Sequence, residues 1–440
     1  MYQTGAQIIQ ASYWKAVQDS DTARKDEASK LLDYYSNGQI DYIREYIKQT
    51  CKERAKSIYP VCLNIIRKVI NNLAMVYLQD AVRSIDGTDR DQEILCEIET
   101  SASLPVKMKQ TNRLTKLLGT VLLRPVWRGG RMDMDVLTPD VLDVETGDTP
   151  EELESVTITH YSPDGDANAI SYSYWTPEIV QTLDAMGRVT SEEPNPYGIL
   201  PFVPCWKEPP TDFFWQRGAR DLMSVQDGIN NAITLLVYDI EFQGFGLLFG
   251  KRLNDVDSEI SKSNIIASPG QLWHSANADA DLKYISPNGP IEQILASVNF
   301  FIKQAAMLSG LPASVMSTEP SDQSGVARIV GNRELEELRA DDIALFIEYE
   351  RKLFEVNRVV WNVHNPGRKI SDGAVFQINF YDPKPTTTGT EQAALWEKLL
   401  GMGVISPVDI IMERDPDLTR EEATARLIQI RDEIAEFQKY

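Results

Sequence analysis

The sequence predicts an α+β protein, mainly α, and three observations lead there. Apolar residues recur at three-to-four spacing before residue 118 and again after residue 218. Between residues 120 and 205 they alternate instead, and one helical stripe then runs from about Gly325 to Asn365. The chain has 440 residues, of which 42% are hydrophobic and 25% charged, an ordinary globular composition that excludes wholesale disorder. One core rarely grows past roughly 250–300 residues, so two or more subdomains are expected.

Residues 5–118 read as helical. Tyr59-Pro60 opens a helix, because proline at an early helical position forfeits no hydrogen bond. Ile65, Ile66, Val69, Ile70, Leu73 and Val76 follow on its face. Leu104-Pro105 ends one helix and starts another that stops near Gly119. From Thr120 the period becomes two. Val121, Leu122, Val126 and Trp127 form a strand, Arg128-Gly129-Gly130 its turn. Met132, Met134 and Val136, alternating with Asp133 and Asp135, form the return strand. Strands at Ser155–His160 and Ile170–Trp175 flank the turn Ser162-Pro163-Asp164-Gly165. The proline-rich stretch Glu193–Pro210 closes the β-rich region.

Beyond Gly218, the residues Leu222, Val225, Ile229, Ile233, Leu236 and Ile240 lie on one stripe that Gly244 and Gly246 end. Residues 245–289 hold short apolar runs between turns, a small α/β or β insertion. Gly289-Pro290 opens a second helix with Ile291, Ile294, Leu295, Val298, Ile302 and Ala305 on its face, and Gly310-Leu311-Pro312 stops it. Residues 311–325, rich in serine and broken by Pro312 and Pro320, cannot be helix throughout. The helix that follows carries Leu338, Leu345, Tyr349, Leu353, Val356, Val360 and Val363 and would span roughly 60 Å. Val375–Tyr381 alternates as a strand. Short helices follow from Thr390, broken at Gly401-Met402-Gly403 and Ser406-Pro407, with Thr419-x-x-Glu422 a capping box for the last.

The 65 acidic residues outnumber 44 basic ones, giving a formal charge of −21. DNA carries one negative charge per about 1.7 Å of axis, and ordinary DNA binders answer it with basic patches. This chain either avoids nucleic acid or handles it without gripping it. Cys51, Cys62, Cys96 and Cys205 lack CxxC spacing and read as free, buried thiols in a reducing compartment. Only His160, His274 and His364 are available as general bases or imidazole ligands. The best apolar run, Val61 to Leu78, is interrupted by Arg67 and Lys68, so no membrane span is expected. Nor does Met-Tyr-Gln-Thr-Gly open a secretory signal.

Chemistry-bearing motifs fall short of their requirements. Gly246-Leu-Leu-Phe-Gly250-Lys251-Arg252 is one residue short of a phosphate-binding loop and lacks its hydroxyl. Asp164, Asp166 and Asn168 sit at alternate calcium-loop positions, but Ala169 and Trp175 stand where glycine and glutamate belong. Asp133, Asp135, Asp140, Asp143 and Glu145 could hold two divalent metals for phosphodiester chemistry. Alternation, however, sets Asp133 and Asp135 on a solvated sheet face opposite Met132 and Met134. No catalytic residue, metal or cofactor is assigned.

Over roughly residues 120–440 the order and wording of the segments resemble the portal proteins of tailed bacteriophages. The stretch Gly198-Ile-Leu-Pro201-Phe202-Val-Pro204 enters a helix beginning Asp221-Leu-Met-Ser-Val-Gln-Asp227-Gly-Ile-Asn230. A small insertion and a returning helix follow, then Gly310-Leu-Pro312 and Ser324-Gly325-Val-Ala-Arg328 before the very long helix. The tail runs from Gly403-Val-Ile-Ser-Pro407 to Asp415-Pro416-Asp417-Leu-Thr-Arg-Glu-Glu422. The first 100 residues contribute only a compatible helical pattern, and the chain is shorter at its C-terminus than larger members.

The resemblance implies a portal-like subunit with wing, helical stem, α/β clip, tunnel loop, long kinked helix and short helical crown. Residues 1–217 would be wing, 218–243 and 290–309 stem helices, 244–289 clip, 310–325 tunnel loop, 326–385 long helix and wing strand, and 386–440 crown. It implies a ring, usually a dodecamer, at one capsid vertex of the virion, assembled in the host cytoplasm. Its partners would be the major capsid protein, terminase, a head-tail adaptor and double-stranded DNA passing through the channel, with no membrane and no enzymatic activity. Ser314, Val315, Met316, Ser317, Thr318, Glu319 and Gln323 would line the channel. Phe245, Phe249, Lys251, Arg252 and Trp273 would meet a neighbour, motor or adaptor at the clip. The acidic balance fits such a passage, since acidic walls within about 8 Å of a polyanion repel it. The competing readings are a metal-dependent nucleic-acid-processing enzyme built on the Asp133–Glu145 acids and a non-pore capsid connector.

Overall fold

The computed structural model describes residues 21–161, 170–245, 247–251, 281–285, 290–312, 316, 325–380, 389–414 and 419–437. They fall into two compact units, the larger spanning residues 1–322 and 329–381 and the smaller residues 323–328 and 382–440.

The larger unit opens with helices α1 (21–35), α2 (Ile40–Cys51) and α3 (Ile65–Leu73), and a 3₁₀ turn, Lys52–Ser57, follows α2. The third helix does not begin at Pro60. Asn64 caps it, its side chain accepting from the Arg67 amide at 3.0 Å, and residues 58–64 run outside any helix. A strand interrupts the helical region, contrary to the sequence pattern. β1 (Val82–Asp86) precedes α4 (Asp89–Ser101), whose Thr88–Asp91 capping box is formed, and α5 (Leu104–Leu118), with Pro105 in its first turn.

The β-rich region forms two antiparallel sheets. β2 (Thr120–Arg128) and β3 (Arg131–Leu137) make a hairpin in which Gly129 and Gly130, φ +61° and +79°, form the two-residue turn. β9 (Val203–Trp206) pairs on the other side of β2, giving the order β3-β2-β9. The second sheet runs in simple order through β4 (Leu142–Thr146), β5 (Leu153–His160), β6 (Ser171–Trp175), β7 (Ile179–Leu183) and β8 (Val189–Pro194).

Helix α6 (Arg220–Phe245), the hairpin β10 (Leu247–Lys251) and β11 (Asp281–Ile285), and helix α7 (Ile291–Leu308) follow. The expected long helix is α8 (Gly325–His364), 40 residues. β12 (Val375–Asn379) then returns to pair antiparallel with β1, Val82 opposite Asn379.

Two large apolar cores and two small clusters, one on Tyr172 and Leu183 and one on Ile43, Ile47 and Ile58, are found among the described residues of the larger unit. One large core joins α4, α5 and the inner faces of β2, β3 and β9 to Phe346, Tyr349, Leu353 and Trp361 of α8. Met132 and Met134 are buried in it, as their alternation predicts. The other joins α1, α3, the end of α5, α6 and α7. At the first core's edge lies a buried ion network. Arg83 of β1 meets Glu350 of α8 at 2.5 and 3.0 Å and Glu99 at 3.2 Å, and the Tyr77 hydroxyl donates to Glu350 at 2.7 Å. Burial, with the Glu350 charge adding to it, pushes the Tyr77 phenol well above its ordinary range.

The smaller unit contributes α9 (Gly389–Gly401), α10 (Pro407–Arg414) and α11 (Arg420–Phe437). Its stop signals act as expected. Thr419 and Glu422 form the capping box of α11, and Ser406 and Asp409 form one at α10.

Candidate functional site

The region with the clearest architecture is the α6–α7 hairpin. Its base is set by backbone contact. The chain leaves α5 through Gly119 (φ +84°) and enters α6 through Gly218. A Cβ on Gly119 would lie 2.6 Å from the Gln216 carbonyl oxygen, and one on Gly218 would lie 2.5 Å from that of Leu117. With no side chains between them the two segments bond directly, the Ala219 amide donating to Leu117 at 2.8 Å. Further up, Gly228 faces the ring of Phe301, which lets α7 lie close against α6.

A polar ladder holds α6 to the segment before α3. Gln226, Asn230 and Thr234 stand four residues apart, on one face of the helix, and all are buried. Gln226 Oε1 accepts from the Ile65 and Ile66 amides at 2.8 and 3.1 Å, and its Nε2 donates to the Leu63 carbonyl at 2.6 Å. Asn230 Oδ1 accepts from the Leu63 amide and Thr234 Oγ1 from the Val61 amide, both at 3.1 Å. Asn230 Nδ2 donates to Gln39, which donates to the Tyr34 carbonyl. An extended segment thus finds on helix side chains the partners a strand would find on its neighbour. The same ladder explains why the third helix starts late: Gln226 satisfies its first free amides.

Burial fades along α6 away from the base; on α7 it does not, since Met307 and Leu308 at its base end are 65% and 60% exposed. On α6, Leu222 and Ile229 are buried, while Leu235 and Ile240 are 48% and 50% exposed. On α7, Val298, Ala305 and Ala306 are buried, while Leu295 and Phe300 are 46% and 57% exposed. One hairpin therefore presents large apolar side chains that its own chain does not cover.

Of the clip candidates, Phe245 ends α6 and Phe249 and Lys251 lie on β10 at register positions opposite Lys283 and Asp281. Arg252 and Trp273 lie outside the described residues, as do Ser314, Val315, Ser317, Thr318, Glu319 and Gln323 of the expected tunnel loop. Met316 is described. It is 4% exposed in the single chain and packs into the α1–α3–α6–α7 core.

Three of the five acids proposed as metal ligands are held in ion pairs, and Glu145 accepts from Ser155 at 2.6 Å, whereas Asp140 Oδ1 is buried without a hydrogen-bond partner. Asp133 is held by Lys107 and, at 3.1 Å, by Arg128. Asp135 is held by Arg124 at 2.7 Å and Asp143 by Lys25 at 2.6 Å. Burial alone would raise the Asp133 carboxyl, but hydrogen bonds from Lys107 and the Met134 amide, with the neighbouring cations, hold it below its usual range. The face is paired rather than solvated as expected, and the described residues contain no group of three or more His, Cys, Asp or Glu placed to bind a metal. The calcium-like loop, Gly246 and His274 lie outside the described residues. Of the cysteines only Cys205 is buried; Cys96 is exposed and Cys51 and Cys62 are half-buried, which corrects the expectation of four buried thiols.

A sequence profile described as "Phage portal protein, SPP1 Gp6-like" matches residues 15–440. The chain belongs to this family. Portal proteins are structural components of the phage particle. Among solved structures, "Virion of native gene transfer agent (GTA) particle" contains a similar chain, 13% identical, with a TM-score of 0.41. The match covers 78% of this chain and 87% of that one. "Neck of empty GTA particle computed with C6 symmetry" contains another, 12% identical, with a TM-score of 0.40 and the same coverage of both chains. No curated protein matches.

In this portal chain the residues that sequence reading missed are those of the ladder. Their signal was present as polar residues at four-residue spacing, Gln226, Asn230 and Thr234, beside the apolar stripe of the same helix. What it lacked was a partner, since Val61–Ile66 lies some 160 positions earlier in the chain.

Proposed function

We propose that copies of this chain close into a ring, of twelve subunits, that conducts double-stranded DNA at a single capsid vertex. The ring serves genome packaging, retention and ejection. Residues 218–243 and 290–309 form its stem and residues 244–289 the clip, which docks terminase during packaging and the head-tail adaptor afterwards. Residues 1–217 and 326–385 form a wing that faces the major capsid protein, residues 310–325 a tunnel loop beside the DNA, and residues 386–440 a crown. Assembly takes place in the host cytoplasm, and the subunit itself supplies no catalysis.

The observation that carries the reading is the set of uncovered apolar side chains on the α6–α7 hairpin in a chain of the portal family. Leu235, Ile240, Leu295 and Phe300 need a cover, and neighbouring copies of the same hairpin supply it around a closed ring. The net charge of −21 supports a passage that does not trap its cargo, because acidic walls repel a polyanion within about 8 Å. Native mass spectrometry and negative-stain images of the purified chain test this. Closed rings with a central hole are expected, and Leu295→Glu with Phe300→Glu should shift the protein to monomers. A wild-type monomer or open filament would overturn the reading.

A further inference from the structure

We infer that the pocket walled by Tyr34, Tyr42 and Tyr46 binds a small organic polycation of the aliphatic polyamine class. The pocket is an open groove of about 440 Å³ between α1, α2 and α6, and Glu45 and Asp227 bring carboxylates to its wall. Ligand pockets run from roughly 300 to 1,000 Å³, so a short flexible amine chain fits.

The chemistry of the walls selects the ligand. Tyr34 and Tyr42 have ring centroids 5.5 Å apart. Each is oriented by a carboxylate: the Tyr34 hydroxyl donates to Asp227, and the Tyr42 hydroxyl to Asp33 at 2.8 Å. A phenol that donates to a carboxylate gains electron density on its ring, which strengthens attraction for a cation over the face. The protein's own ammonium demonstrates that attraction: Lys30 Nζ lies 5.4 Å from the Tyr34 centroid and 5.1 Å from that of Tyr42. Lys30 is one positive charge against Glu45 and Asp227, so the pocket keeps a negative balance. Tyr46, 48% exposed, adds a third ring. A hard divalent cation prefers several oxygen ligands at fixed geometry and retains its waters, which aromatic walls do not favour. An alkyl ammonium buries its methylenes on the rings and directs its charge to the acids.

The place gives such binding a consequence. Asp227 follows Gln226, the lowest rung of the polar ladder, and the Tyr34 carbonyl accepts from Gln39 and Asn64, both at 2.8 Å. A cation here sits where the stem helix is fastened, and the counterions of a polyanionic cargo are a ready source.

Calorimetric titration of the full-length chain with spermidine is the test. Saturable binding is expected, weakened roughly fivefold by Tyr46→Ala or Glu45→Gln. Lys30→Met should tighten it severalfold by removing the competing ammonium. The opposite sign of these effects separates a site from general charge attraction. Absence of saturation, binding indifferent to all three variants, weaker binding in Lys30→Met, or equal binding of magnesium chloride at matched ionic strength would overturn the proposal. The outcome does not depend on whether the chain forms a ring.

Discussion

Helices α6 and α8 are fastened to the rest of the larger unit by opposite chemistry. Gln226, Asn230 and Thr234 hold α6 through neutral hydrogen bonds to main chain, so every bond also fixes a register. Glu350 holds α8 through charge, meeting Arg83 and Tyr77 in a pocket where both ions are 1–2% exposed. The neutral ladder satisfies groups that would otherwise be bare. The ion network places charges where desolvation makes each dependent on its partner. The lesson is that the helix packed in the aromatic core tolerates a point-like charged pin, whereas α6, whose apolar Leu235 and Ile240 are exposed, is positioned by many weak directional bonds.

The comparison breaks most readily at Glu350. Glu350→Ala leaves Arg83 buried beside Glu99 alone and should lower stability by about 3–5 kcal/mol. Urea unfolding checks it; a loss under 1 kcal/mol would show that the network relaxes without cost. Gln226→Leu should cost less, about 2 kcal/mol, because it orphans the Ile66 amide and leaves the Ile65 amide and the Leu63 carbonyl only their bond to each other, without stranding a charge. Hydrogen exchange should then accelerate at Ile65 and Ile66 ahead of β1, and uniform protection would count against a local ladder.

A smaller effect sharpens the contrast by pH. Asp91 of α4 accepts from Ser371 and Thr88, at 2.7–3.0 Å through both hydroxyls and both amides. Burial opposes ionisation, but these bonds hold its carboxyl well below the usual carboxylate range. Its stabilisation is therefore complete above the unfolded value near about 3.9 and is lost as pH falls through the lower folded value. Asp91→Asn should cost about 1–2 kcal/mol at neutral pH and flatten the acid limb of the stability curve. An unchanged acid limb would remove Asp91 from that account. The amide ladder of α6 does not titrate and should contribute no slope there.

Sequence periodicity made the helices legible where one face is apolar throughout, as in α7 and α8, and the strands legible where small turns flank alternation, as in β2 and β3. β1 was hidden because its buried position is Arg83 while Val82 is exposed, the reverse of the usual pattern. Its partner β12 lies almost at the other end of the larger unit. Pro60 misled for a related reason: the cap that starts α3 is Asn64, and the side chain that completes it comes from α6. The family's segments were readable in order, but the fastening of those segments depends on pairs far apart in the chain, which periodicity does not reveal.

The close approach of residues 117–119 to residues 216–219 has a mechanical meaning. Helix α6 is a rod of 26 residues, about 39 Å long, rooted where those two segments touch. Tipping such a rod by about five degrees at its root swings the far end by roughly 3 Å. In an assembly where many rods stand side by side, errors of that size accumulate around the circumference. In the proposed ring the tolerance of the passage would thus be set at two positions where any methyl group acts as a shim.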